Sequence, residues 1–539
     1  MRRLLLATAA LVAAVAVCAV ILGPPAPIRL DTAGWGDLVS RTVAGGYHVH
    51  TVRSDGSADK PTIAAAAARA GLQFVIFTDH GNGTAEKDRP AYLSGVLCLD
   101  GVEISTAEGH YVALDMARAP YPLGGRAEDV AADVTRLGGF GIAAHPDSPN
   151  RDLQWTSTAA VDGIEWLNAD TEWRDEDTAT LAGAALVYAF RPGPAIASLL
   201  DRPSAPLHRW DERASSAPVV GLAALDAHAR YEAAFRTFSI RVPLDAPLSG
   251  NADRDGPAVL AAIRAGRVFT TIDATAAPGL IEYYAERDGA RVPMGARLAA
   301  GAPVTLHARV LAPGGSETSL IGRNTRIARG GGEVRAVVGE PGAYRVEVSA
   351  PGSPGDPPVP WLVSNPIYVL PPSPPPTAVP EAAGVPLTSV WRVEHDPLSA
   401  GAVTQDPSHL DFSYTLGAGE RRSQYVAAAA DLPPNHPAFD VITLRAVADR
   451  PMRLSVQVRF ANGAGGRRWG RSVYVSTSEG VASVRAADLV PMDSRDSQMP
   501  ATERAQAVLL VVDLTNAVPG DTGRMRIQNP SLVQRVPVK

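Results

Sequence analysis

From about Thr42 to Ala274, short uninterrupted apolar runs alternate with stretches of helical period. Phe74–Phe77, Leu97–Ile104, Gly141–Ala144 and Val219–Leu225 have the length and continuity of strands buried on both faces. Pro61–Ala70 and Ala127–Leu137 carry the helical pattern, with Gly71 and Gly138 placed to close them. Strand alternating with helix predicts an α/β layer or barrel. Downstream the period becomes two. Val304, Leu306, Ala308 and Val310 alternate with polar residues, as do Tyr344, Val346 and Val348, which predicts a small immunoglobulin-like sandwich. Pro371–Pro380 holds six prolines in ten residues and reads as a stiff linker. Beyond it, Leu454, Val456, Val458 and Phe460 alternate with Arg453, Ser455, Gln457 and Arg459, and Val508–Leu514 adds a further strand. This region predicts a second, jelly-roll-like β-sandwich.

The predicted organisation is therefore multidomain, α/β followed by all-β. Its divisions are an N-terminal export segment at 1–35, an α/β region at 40–275, a sandwich at 278–370, a Pro-rich linker at 371–387 and a sandwich at 388–539. The first division rests on Arg2 and Arg3, which precede an uncharged run from Leu4 to Leu22 that ends at Gly23-Pro24-Pro25. A basic start and an apolar run of 19 residues describe a signal peptide or an N-terminal transmembrane anchor. The rest of the chain is then expected outside the cytoplasm, membrane-anchored or released to the periplasm or medium.

Composition narrows the function classes. A net charge of −6 over 539 residues, with Lys only at positions 60, 87 and 539, argues against nucleic-acid binding. Cys18 and Cys98 are the two cysteines, too few for a disulfide framework, and Cys98 reads as a buried hydrophobe.

The chemistry lies in the histidines. His48 and His50 sit two apart, so a strand would turn both to one face. Asp55 follows, His80 and His145 come after apolar strands, Glu103 ends one, His110 starts another, and Asp226 and His228 repeat the two-residue spacing. A single strand-end histidine is usually only a satisfied polar group. Six imidazoles and three carboxylates in one register, converging where strand ends meet, instead predict a cluster of divalent cations. Imidazole and carboxylate suit Zn, Mn or Fe.

These motifs, His48-x-His50-x4-Asp55-Gly56, Thr78-Asp79-His80, Gly101-Val102-Glu103, Gly109-His110, Ala144-His145-Pro146 and Asp226-x-His228, resemble the PHP (polymerase and histidinol phosphatase) family in content and order. The resemblance implies a distorted seven-stranded β/α barrel and a trinuclear site. His48, His50, Glu103 and Asp226 would hold one metal. Glu103, His110 and His145 would hold the second, and Asp55, His80 and His228 the third. The sandwich ending in Trp361-Leu362-Val363-Ser364-Asn365-Pro366-Ile367-Tyr368 is similar to the CehA/McbA-type branch of metallohydrolases.

The mechanism expected from such a site is attack by a metal-bridging hydroxide on a phosphate ester, with no side-chain acid assigned. The substrate would be a small-molecule or envelope-derived phosphate ester. Carbamate or carboxyl-ester hydrolysis on the same metals is the alternative, and an envelope adhesion or scaffold role is a weaker third. Arg53, Asn168 and Arg174 are the expected substrate contacts, Asp79 is expected to cap a loop, and Trp391, Trp469 and Tyr474 are candidate sugar platforms for a carbohydrate partner.

Overall fold

The structure, a computed structural model, describes residues 23–371, 384–461, 466–492 and 498–534. The apolar run 4–22, on which the anchor or signal expectation rests, lies outside them. Among the described residues no helix is long and apolar enough to cross a membrane. The expected linker lies mostly outside them too, and Gly384–Pro386 at its end forms a strand. The chain divides into two compact units, residues 1–118 with 126–374 and residues 119–125 with 375–539.

In the first unit the strands that matter for the site are β1 (Thr42–Val49), β2 (Phe74–Phe77), β3 (Val96–Asp100), β4 (Val102–Thr106), β5 (Gly109–Leu114), β6 (Phe140–Ala143), β7 (Gly163–Asn168), β8 (Val220–Ala224), β9 (Ser239–Pro243) and β10 (Phe269–Thr271). The helices are α1 (Lys60–Ala70), α2 (Ala127–Arg136), α3 (Ala169–Arg174), α4 (Thr178–Tyr188), α5 (Pro192–Ala197) and α6 (Ser204–Ala214). Asp59 caps α1 by accepting from the Thr62 N–H, and Gly71 ends it in the left-handed conformation that a Cβ disfavours.

These strands do not close into the expected seven-stranded β/α barrel, and that expectation is corrected. They form two sheets. One has the order β8-β7-β6-β5-β4; the other runs β10-β9-β1-β2-β3 and continues beyond β10. β4, β5 and β6 pair antiparallel, as β9 does with both β1 and β10, and strand residues outnumber helical ones among the described residues. The reason is local. The predicted strand Leu97–Ile104 breaks at Gly101, where a Cβ would lie 2.6 Å from Leu114 Cδ2, and β4 then turns directly into β5 with no crossover helix. The sheets meet through a shared apolar core that includes Tyr47, Phe74, Leu99, Val112, Ile142 and Leu222. Two isolated parallel bridges, Val49 with Ala227 and His80 with Glu103, tie their ends together.

The expected sandwich at 278–370 is continuous with this architecture, because β10 pairs antiparallel with Leu362–Ser364. Tyr344, Val346 and Val348 are buried, but so are the alternating Arg345 and Glu347. Arg345 holds both oxygens of Asp211 on α6 at 2.8 Å and Glu347 at 2.6 Å, while Arg202 also pairs with Glu347. Asn365 and Tyr368 fasten the same region to β8. The Asn365 amide accepts from the Gly221 N–H and donates to the Gly221 and Val268 carbonyls, and the Tyr368 hydroxyl donates to the Val219 carbonyl. The Trp361–Tyr368 motif thus steadies the strand that delivers Asp226 and His228.

The second unit is an antiparallel β-sandwich of two sheets, with Trp391 and Trp469 inside its core. Both indoles are buried, so neither is a sugar platform; Tyr474 packs near Tyr121.

Removing the Arg345 guanidinium strands the buried Asp211 carboxylate and leaves Glu347 with Arg202 alone, which costs about 3–5 kcal/mol. Arg345→Ala should therefore lower the urea midpoint of the first unit sharply. A shift no larger than that of exposed Arg326→Ala would contradict the structural role.

Candidate metal centre

All nine expected ligands come together at one end of the two sheets. Glu103 is at the centre. Its Oε1 lies 2.8 Å from His110 Nδ1 and 3.2 Å from His145 Nε2; its Oε2 lies 3.2 Å from His48 Nε2, 3.3 Å from His50 Nε2 and 3.1 Å from His80 Nδ1. Asp226 stands opposite, 3.4 Å from His48, 3.3 Å from His50 and 3.1 Å from His145. Asp55, half-exposed, gathers His50, His80 and His228 at 3.3–3.4 Å.

The backbone is shaped to do this. His48, His145 and Asp226 all have positive φ, at 63°, 42° and 46°, a strained region for residues with side chains. At His48 the strain coincides with a register shift between Tyr47 and Val49, so His48 sits on a bulge rather than on the regular strand face predicted for it. Gly56 is required in Ser54-Asp55-Gly56 because a Cβ there would come within 2.3 Å of the His50 carbonyl. Asp79 organises this loop, accepting from the Thr51 N–H and hydroxyl and the Ser54 hydroxyl. The Tyr231 hydroxyl lies 2.9 Å and 2.8 Å from the carbonyls of His50 and His228, locking the loops that follow β1 and β8.

A second layer orients the ligands, and sequence reasoning missed its main member. Glu165 on β7 accepts from His48 Nδ1–H at 2.7 Å, from the His145 backbone N–H and from the Asn168 amide. The signal in the sequence was an acid inside the apolar run of β7, and the structure buries it fully. Asn168, expected to touch substrate, instead bonds Glu165 and Asp226 and caps α3 through the Thr171 N–H. His228 Nδ1–H donates to the Asp226 carbonyl, which leaves Nε2 facing Asp55. Arg53 pairs with Asp88 at 2.7 Å, and Arg174 pairs with Asp170. Trp155 and Trp166 are core residues, His208 pairs with Glu212 on the exposed side of α6, and Cys98 is buried with its thiol pushed up to about 11 by desolvation.

The residues fit metal binding on their own chemistry. His48 Nε2, His50 Nε2 and Glu103 Oε2 are buried without a hydrogen-bond partner, a costly arrangement for polar atoms that a cation would satisfy. Donor separations of 2.8–3.4 Å are close to the edge of about 3.4 Å expected for tetrahedral ligands at about 2.1 Å from an ion. Four overlapping donor groups result: His50, Asp55, His80 and His228; His48, His50 and Asp226; His48, Glu103 and His145; and His80, Glu103 and His110.

Electrostatics point the same way. Burial works against charged imidazoles at His50 and His145, but Asp226 and Glu103 outweigh it and push both up to about 9. His48 is raised as well, its desolvation overcome by Asp226, Glu165 and Glu103. Glu103 and Asp226 are held well below the usual carboxylate range, since the facing imidazoles outweigh their burial. Desolvation lowers His80. Without metal, protons thus occupy the places that cations would take.

No protein-family pattern matches the chain, and no curated protein matches it. Among solved structures, the family 11 carbohydrate-binding module from Clostridium thermocellum, in complex with a β-1,3-1,4-mixed-linked tetrasaccharide, is 13% identical over 30% of this chain and 99% of the module, with a TM-score of 0.24. A structure of promiscuous carbohydrate-binding modules of the β-sandwich superfamily aligns over 48% of this chain and 99% of its own, at 7% identity and a TM-score of 0.20. An exo-β-agarase aligns over 27% and 24%, at 10% identity and a TM-score of 0.19. These likenesses are slight.

Two pH trends follow for the metal-free protein. Because the folded imidazole pKa values are raised above about 6.5, the stability they contribute is complete below that pH and is lost as pH rises through about 9. Metal uptake must displace these protons, so affinity should rise over the same interval. Thermal melts and Zn titrations at pH 6–9 should show the opposed slopes; a flat affinity profile would contradict the coupling.

Proposed function

We propose that the chain is a metal-dependent hydrolase acting on phosphate esters. The observation that supports this most directly is the convergence of six imidazoles and three carboxylates around buried, unpartnered donor atoms. Divalent cations, when bound, supply Lewis acidity and ionise water near neutral pH. His48, His50, Glu103, Asp226, His110, His145, Asp55, His80 and His228 are the residues that would hold them. The resemblance of the ligand motifs to those of the PHP family supports the trinuclear count, while the fold itself lends no barrel to the argument.

The chain's own residues perform the positioning. Glu165 takes the Nδ1 proton of His48 in a hydrogen bond and so leaves Nε2 with its lone pair toward Glu103 and Asp226. The Asn168 amide holds Asp226 in place, and Glu103 presents both oxygens at once. Strain at His48, His145 and Asp226 is maintained by the surrounding hydrogen bonds, which favours a site organised before substrate arrives.

A second reading, carbamate or carboxyl-ester hydrolysis, has one observation in its favour. Arg53 and Arg174 are each committed to an aspartate, so neither offers an unengaged guanidinium to phosphoryl oxygens.

Chain stripped of metal and reloaded with Mn or Zn should hydrolyse a nitrophenyl phosphodiester. His145→Ala should lower that turnover by about 100-fold or more. Turnover of an aryl methylcarbamate without any phosphate-ester turnover would replace the leading reading with the second.

A further inference from the structure

Beside the metal centre lies a cavity of about 470 Å³, inside the range of small-molecule sites. One wall contains Asp226 and His228. The facing walls are built by α3, α4 and α5 and the turn after α5, and their side chains, Trp173, Leu181, Tyr188, Ile196 and Leu199 among them, are overwhelmingly apolar. The rim carries Asp170 from α3 and Arg230, whose guanidinium lies 4.7 Å from the centre of the Tyr188 ring.

The helix that forms much of this wall is unusual. α4 reads Thr-Ala-Thr-Leu-Ala-Gly-Ala-Ala-Leu-Val-Tyr, apolar on nearly every side, yet none of its residues is buried. Helices of that composition ordinarily sit in a core. Trp173, on the neighbouring helix, is 53% exposed although it lines the cavity. The fold therefore keeps apolar surface open on the side of the metal ligands, where a polar substrate alone would gain nothing from it.

We infer that this cavity is the subsite for an uncharged apolar group of the substrate, an aryl or medium-length alkyl substituent, with the scissile ester bond at the Asp226–His228 edge. The inference rests on the hydrolase reading and deepens it by naming the substrate class. Bare inorganic-type esters and sugar phosphates lack the group the cavity accepts. Hydrophobic esters carry it, and filling the cavity would cover the open face of α4 and remove Trp173 from water. Asp226 is both a metal ligand and part of the cavity wall, so an apolar group seated here leaves its attached oxygen facing the metal centre.

The test compares methyl phosphate with benzyl phosphate, and their symmetrical diesters, on the metal-loaded full chain. Variants Ala184→Trp, which fills the cavity, and Leu181→Asp, which charges it, change α4 at half-buried positions that the core does not need. In parallel, quenching of tryptophan fluorescence by 4-nitrobenzyl alcohol is read in wild type and in Trp173→Phe. The benzyl ester should be preferred by roughly 10- to 100-fold in kcat/KM. In both α4 variants the benzyl-to-methyl ratio should fall toward one, and saturable quenching should disappear with Trp173. Equal ratios in wild type and variants, with no quenching traceable to Trp173, would overturn the inference. Saturable Trp173 quenching without turnover of any of these phosphate esters would support the apolar subsite and refute the phosphate-ester reading on which its substrate assignment rests.

Discussion

A single buried carboxylate sets the terms for this structure. Glu103 is almost fully enclosed, and five imidazoles surround its two oxygens. An isolated carboxylate in that position would be driven to protonate; here positive charge, whether protons or cations, has to be supplied by design. Asp226 repeats the problem from the facing side, and the two acids together explain why so many histidines are gathered at one point. Burial without protonation requires countercharge, and the strand ends provide its ligands.

Holding that arrangement requires distortion elsewhere. Three ligands adopt positive φ, a bulge re-aims His48, and a second layer of Glu165, Asn168, Asp79 and Tyr231 fixes rings, carboxylates and loops. The outlying sandwich strands contribute too. Asn365 and Tyr368 bond to the strand that leads into Asp226, and Arg345 ties α6 to the sheet through buried ion pairs. Stability and chemistry therefore share components, and the apolar helix α4 is the part left open beside the cluster.

The gathering of the nine candidate ligands at one point was legible because their residue types stand out against apolar strands and because two of the spacings repeat. Asp79 also read correctly as a loop organiser, since it sits between a strand end and a loop of Ser and Thr donors. Glu165 was missed although it is charged within an apolar run, because a lone acid at a strand end has no partner visible in sequence. Asn168 was placed against substrate for the same reason: its partners, Glu165 and Asp226, become neighbours only through tertiary pairing. The barrel failed on another count. Apolar continuity identifies strands but carries no information on which strand bonds which, and the tight turn joining β4 to β5 sets an antiparallel pair where a crossover was expected. Period-two alternation likewise gives no sign that Arg345 and Glu347 are buried, which their ion pairs with Asp211 and Arg202 allow.

The central claim is that the buried nitrogen and oxygen atoms around Glu103 are metal ligands. Crystals of the full chain grown with Mn or Zn, measured at and away from the metal absorption edge, test it most directly. The account predicts anomalous peaks about 2.0–2.3 Å from His48 Nε2, His50 Nε2 and the Glu103 carboxylate. An ordered cluster at saturating metal, with no anomalous density among those atoms, would contradict it.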